Sequence, residues 1–153
     1  MSPLAYLEAG SGEQPVLFIH GNFAGKSWWR EVLTDPPPGS RLLAPDLPGF
    51  GRSTGVRGFS PSMTSYAESL TRFLDSMDVQ RPVLVGHSFG AAVAVELALA
   101  NPNRFPAMLF LSPVPLDGYY TPDYLYPVLD VCCVVCKVKR GPSESSPSKG
   151  ASE

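Results

Sequence analysis

The stretch Val83-Leu84-Val85-Gly86-His87-Ser88-Phe89-Gly90-Ala91-Ala92 constrains this 153-residue chain more than any other. An apolar run leads into a G-x-S-x-G pattern, and an Ala-rich run expected to form an amphipathic helix leads out of it. A strand, a tight turn and a helix in that order bring the strand end close to the helix start. The positions two before and two after Ser88 must then be small, and both are Gly. Such a turn lifts the Ser88 hydroxyl above the sheet edge, over the helix N-terminus. Free N–H groups and the helix dipole there stabilise a developing oxyanion. The plainer reading of the five residues alone is a Gly-rich connector without chemistry. The strand-turn-helix context favours a nucleophile.

Apolar residues make up 44% of the chain, enough for one domain-sized core. The formal charge of −2 speaks against a nucleic-acid or polyanion partner. Residues 1–13 have neither a basic start nor an apolar run, and no apolar stretch approaches the roughly 20 residues a bilayer span needs. No signal peptide or transmembrane segment is therefore expected, and the chain reads as soluble and cytoplasmic.

Taken in order, Leu4–Glu8 is a modest strand closed by Gly10-Ser11-Gly12. Val16–Ile19 is a continuous apolar run, as suits a strand covered on both faces. Lys26–Leu33 fits a short helix that ends at Asp35-Pro36-Pro37-Pro38-Gly39, and Leu42–Ala44 a short buried strand. Ser60-Pro61 is expected to start the next helix, with Ser60 as N-cap and Pro61 in the first turn. Its apolar positions Met63, Tyr66, Ala67, Leu70, Phe73, Leu74 and Met77 recur at helical spacing, so they are core and the methionines are packing residues. Val83–Val85 is a strand and Ala91–Ala100 a helix stopped by Asn101-Pro102. Ala107–Leu111 is expected to be a further buried strand.

Strands alternating with helices from residue 15 to 112 predict right-handed βαβ units. The fold class is therefore α/β, a mostly parallel sheet with helices on both faces. Ligands bind at the carboxyl ends of such strands, and His20, Asp46, Ser88 and Ser112 all fall at or just past predicted strand ends.

Three motifs in fixed order resemble the α/β-hydrolase fold family over about Leu4 to Tyr126. They are His20-Gly21-Asn22 after one strand, Asp46-Leu47-Pro48-Gly49-Phe50-Gly51-Arg52-Ser53 after the next, and Gly86-His87-Ser88-Phe89-Gly90. The resemblance implies Ser88 as nucleophile. It implies an oxyanion hole made by the main-chain N–H groups of Phe89 and Asn22, with Phe23 close by. His20 is then a loop-positioning residue, His87 points away from the nucleophile, and Gly21, Gly86 and Gly90 support the motifs. Asp46 is a turn-stabilising residue rather than a catalytic acid. Trp28 and Trp29 pack the first helix, or one of them lines the entrance. A serine here resembles the carboxylesterase, thioesterase, lactonase, peroxidase-like and C–C hydrolase branches, whereas relatives that open epoxides or displace halide use a carboxylate. The implied chemistry is acyl transfer from a small ester-like substrate, with no cofactor and no metal.

One departure limits that expectation. In this fold the nucleophile is followed by an Asp or Glu and then a His, but no His follows His87 in this chain. Asp117 is the best-placed later acid and has no histidine to orient. After Pro115 an aromatic, Pro-rich stretch with Tyr119, Tyr120 and Tyr124 reads as the start of a lid, and Lys137–Glu153 as a disordered polar tail. Cys132, Cys133 and Cys136 lack a second Cys or His pair to make a zinc site, and could instead accept a lipid anchor. The plainest reading of them is an apolar tail of little significance. Residues 1–131 are thus expected to be the N-terminal part of a hydrolase domain, truncated after the start of the lid, and 132–153 a Cys-containing tail. The expected function is that of a serine hydrolase inactive for want of its base. The alternative is a non-catalytic fragment or decoy that self-associates or pairs with a full-length homologue through an exposed sheet edge.

Overall fold

A computed structural model describes residues 4–114. The lid-like stretch, the three cysteines, the polar tail and the boundary at 131 lie outside the described residues.

Five strands are present: β1 (Tyr6–Ala9), β2 (Gln14–Ile19), β3 (Ser40–Pro45), β4 (Val83–His87) and β5 (Met108–Leu111). They form one sheet in the order β1-β3-β2-β4-β5. β1 runs antiparallel to β3, with Tyr6 opposite Pro45. The other pairs are parallel, with Val16 opposite both Leu42 and Val83, and Leu84 opposite Met108. Parallel neighbours require a crossover, and each one is helical here. A 3₁₀ turn (Lys26–Trp29) continues into α1 (Arg30–Thr34), while α2 (Met63–Ser76) and α3 (Phe89–Ala100) make the other two.

Alternation along the strands divides the core between the two faces. Leu17, Ile19, Leu43 and Leu84 face α2 and α3, where they meet Tyr66, Leu70, Leu74, Val93 and Leu97. Phe18, Leu42, Ala44 and Val85 face the other way and pack with Trp29. The continuous apolar runs expected of a doubly covered sheet are therefore split residue by residue between two layers. Each fully buried Leu or Ile contributes about 1.5–3 kcal/mol.

Three local expectations are corrected. The helix expected from Ser60-Pro61 has Ser62 as its N-cap, with extended backbone at φ −155°, and Ser62 Oγ accepts from the Ser65 N–H at 3.0 Å. Of the two serines, Ser62 is the one whose oxygen reaches an amide of the first turn. Apart from Glu96, α3 is apolar around its circumference rather than amphipathic: Phe89, Val93, Ala94 and Leu97 are buried while Leu99 on the opposite side is exposed. β5 is exposed rather than buried, from Phe110 at 36% to Leu109 at 55%. Among the described residues it is an edge strand paired only with β4.

Candidate active site

The carboxyl ends of four strands converge on one edge. β2 ends at Ile19, before His20; β3 at Pro45, before Asp46; β4 at His87, before Ser88; and β5 at Leu111, before Ser112. Parallel pairing in register places these ends side by side, as the motif positions predict.

Ser88 occupies the turn between β4 and α3 with φ 52° and ψ −119°, a conformation that L residues avoid. Holding it there costs about 1–3 kcal/mol, and several contacts maintain it. The Ser88 N–H donates to the Leu111 carbonyl at 3.0 Å, and the Ser88 carbonyl accepts from the Ala91 N–H at 3.0 Å. The side chain makes no capping bond to α3, so the helix does not consume its hydroxyl. Close approach explains the flanking glycines. A Cβ on Gly86 would lie 2.6 Å from Ala91 Cα, and one on Gly90 would overlap the Ile19 carbonyl and lie 2.5 Å from that of His20.

The loop after β2 abuts the same turn. A Cβ on Gly21 would be 3.1 Å from Ser88 Cβ and 3.0 Å from His87 Nδ1. Asn22 and Phe23 follow directly, with Phe23 held at φ 59° and its ring 67% exposed. Phe89 opens α3, so its N–H is one of the helix donors without an i−4 partner.

His20 is fully buried. Its Nδ1 donates to the Gly21 carbonyl at 2.8 Å, and its Nε2 accepts from the Leu47 N–H at 3.0 Å. The carbonyl and the amide define the tautomer. Burial lowers the His20 pKa, against smaller opposing effects of the Gly21 carbonyl and Asp46, so the ring is held neutral. With both nitrogens engaged, His20 ties the two loops together.

Asp46 is 1% exposed, and its carboxylate receives three donors. Lys26 N–H reaches Oδ1 at 2.7 Å, Arg52 N–H reaches Oδ2 at 2.8 Å, and Lys26 Nζ also bonds Oδ2. Burial pushes its pKa up. The Lys26 ammonium bond, the two amides and the Lys26 charge outweigh that and hold it below the ordinary 3.8.

The two tryptophans have separate environments. Trp29 is buried against Phe18, with ring centroids 5.0 Å apart. Trp28 is 59% exposed and stacks on the His87 ring at 5.0 Å and 20°. An open depression of about 420 Å³ is lined by the Phe23–Trp28 loop, Asp46 and Gly51. Among the described residues no group of three or more His, Cys, Asp or Glu could hold a metal, and no helix is long and apolar enough to cross a membrane.

Three contacts escaped the sequence reading. Nothing in the composition marks the Leu111 carbonyl as a partner of Ser88. Lys26 and Asp46 lie 20 positions apart in separate segments, and the Trp28–His87 stack likewise joins distant stretches. Asp117 and the lid tyrosines lie outside the described residues.

Comparison with known proteins agrees with this geometry. The family model described as the alpha/beta hydrolase fold matches residues 14–128. A haloalkane dehalogenase of Mesorhizobium japonicum is 34% identical over 110 residues, 72% of this chain and 35% of the relative. Lipase LipV of Mycobacterium tuberculosis is 38% identical over 129 residues, 76% of this chain and 48% of the relative. The solved structure of the N-acyl homoserine lactonase AidH with N-butanoyl homoserine superposes with a TM-score of 0.66 at 27% identity, covering 73% of this chain and 42% of that one. The chain thus spans between about a third and a half of the length of these relatives. Sheet order, motif placement and the family match agree: this chain belongs to the alpha/beta hydrolase fold family.

Proposed function

We propose that this chain carries the nucleophile half of a serine hydrolase that takes acyl groups from carboxylic esters, thioesters or lactones. The observation that carries this reading is the strained Ser88 turn, with its hydroxyl uncommitted to the helix and the Gly21 loop packed against it. Ser88 Oγ attacks the carbonyl carbon, and the tetrahedral oxyanion faces the N–H groups of Phe89 and Asn22. The bond from the carbonyl carbon to the ester oxygen or thioester sulfur then breaks, and that oxygen or sulfur takes up the serine proton, departing as alcohol or thiol or, from a lactone, staying on the acyl chain. Water resolves the acyl-serine to the free acid. Likeness to a lipase and to a lactonase structure supports this choice of substrate class. The dehalogenase likeness weighs less, because a serine cannot stand in for the carboxylate that displaces halide.

Neither histidine of the described residues makes a hydrogen bond to Ser88: His20 is engaged at both ring nitrogens, and the His87 ring stacks on Trp28. We therefore expect the chain alone to show only residual acceleration, on the order of 10³-fold over water at best. Release of p-nitrophenol from an activated ester, compared between the native chain and Ser88→Ala, tests both statements. Slow Ser88-dependent release agrees with the reading. Release equal in the two proteins removes Ser88 as nucleophile, and rapid turnover overturns the missing base.

A second reading is favoured by the exposed apolar side chains of β5: a non-catalytic chain that associates through this edge with itself or a longer homologue.

A further inference from the structure

We propose that Asp46, acting through Lys26, is a positioning residue for the oxyanion loop; this rests on the reading of Ser88 and the Asn22 amide given above. The loop from His20 to Lys26 is held at both ends by two consecutive residues past β3. Leu47 N–H donates to His20 Nε2 at 3.0 Å at one end. At the other, the Asp46 carboxylate accepts both the main-chain N–H and the Nζ of Lys26. Between these anchors Gly21 lies against Ser88, and Phe23 adopts φ 59°. A bulky residue persists in that region only where its surroundings over-determine the backbone, and here the restraint comes from the two ends.

The carboxylate has no freedom to release the loop. A Cβ on Gly25 would lie 2.8 Å from Asp46 Oδ1, and one on Gly51 would overlap the carboxylate. Arg52 N–H holds Oδ2 from the third side at 2.8 Å. Asp46 therefore joins the Gly21–Lys26 segment to the Gly49–Arg52 turn, and the Asn22 amide is set by a group four residues away from it. Asp46 and Lys26 touch no reacting atom. They determine where an amide stands relative to Ser88.

The test uses the full chain and a fluorophosphonate ester at high concentration. Ser88 Oγ forms the O–P bond, fluoride leaves, the Oγ proton passes to solvent, and the phosphoryl oxygen occupies the oxyanion site. Intact-mass spectrometry gives kinact and KI. Hydrogen exchange is measured in parallel on peptides covering residues 20–26 and on those from α2 and α3. Asp46→Asn replaces one acceptor oxygen by a donor. It is expected to lower kinact by about tenfold or more with KI unchanged, and to speed exchange in 20–26 but not in α2 or α3. Lys26→Met keeps the main-chain bond and should lose less, while Lys26→Arg keeps the donor and should restore the rate. Native kinact and native exchange in Asp46→Asn overturn the proposal, and so does faster exchange spread equally over α2 and α3. Equal labelling of Ser88→Ala overturns the nucleophile reading instead. If the native chain does not label, exchange decides alone: unaltered protection of 20–26 in Asp46→Asn overturns the positioning role.

Discussion

The Ser88 N–H donates to the Leu111 carbonyl at 3.0 Å, so the turn that bears the nucleophile hangs from the last residue of β5. Ser88 is held at φ 52° and ψ −119°, where glycine carries no steric penalty. Ser88→Gly keeps the N–H and the carbonyl and removes the Cβ strain. We expect it to stabilise the chain by about 1 kcal/mol in urea unfolding while abolishing covalent labelling. A loss of stability in this variant would show that the turn is relaxed and that the strain argument is wrong.

Close packing behind the elbow gives a second prediction. A Cβ at Gly90 meets the Ile19 and His20 carbonyls, whereas one at Gly55 meets nothing within 4 Å. Gly90→Ala is expected to cost about 1–3 kcal/mol or more, since β2 and α3 must separate to admit it. Gly55→Ala should stay within about 0.5 kcal/mol of the native chain. Denaturant midpoints at constant slope compare the two, and equal effects would refute the packing account.

The buried His20 gives a third prediction, on pH. Its folded-state pKa lies below the ordinary 6.5, with burial as the main cause. Below pH 6.5 the unfolded chain takes up a proton that the folded chain refuses, so stability is full above that pH and is lost as pH falls toward the folded value. The slope approaches about 1.4 kcal/mol per pH unit in that window. Asp46 acts separately and further down: its depressed pKa contributes stability above about 3.8 that disappears as pH falls below it. Urea unfolding of the native chain at pH 7.5, 6.5 and 5.5 should show the first loss, and His20→Gln should flatten it. A native curve that is flat between pH 6.5 and 5.5 contradicts a buried neutral ring.

Much of this architecture was legible in the chain because local signals agreed with the fold. The apolar runs at Val16–Ile19 and Val83–Val85 end in glycine-bearing motifs. The helical period over 63–77 matches the buried set Tyr66, Ala67, Leu70, Phe73 and Leu74. Signals that depend on which neighbour is present were not legible. Ser60 and Ser62 both precede a helix, and only the three-dimensional start shows which oxygen meets the Ser65 amide. Met108–Leu111 is apolar enough for a covered strand, but the sequence of β5 does not say what lies beside it. The Lys26–Asp46 junction depends on how two loops close on each other, and no periodicity records that.

β5 leads to the last prediction. Among the described residues its one strand partner is β4, and all four of its side chains are exposed, with Leu109 at 55% and Met108 at 45%. The opposite edge strand, β1, carries Glu8, which pairs with Arg41 at 2.7 Å and puts charge along that rim. β5 has no charged residue to discourage edge-to-edge pairing. Light scattering after size exclusion is therefore expected to show a mass that rises with concentration. Leu109→Lys should return the chain to a monomer, because a lysine at this exposed position is solvated in the monomer and repels its copy. The substitution should change folding stability by no more than about 0.5 kcal/mol, since the position is already exposed. A native chain that stays monomeric at every concentration would leave the associating reading without support and the acyl-transfer reading untouched.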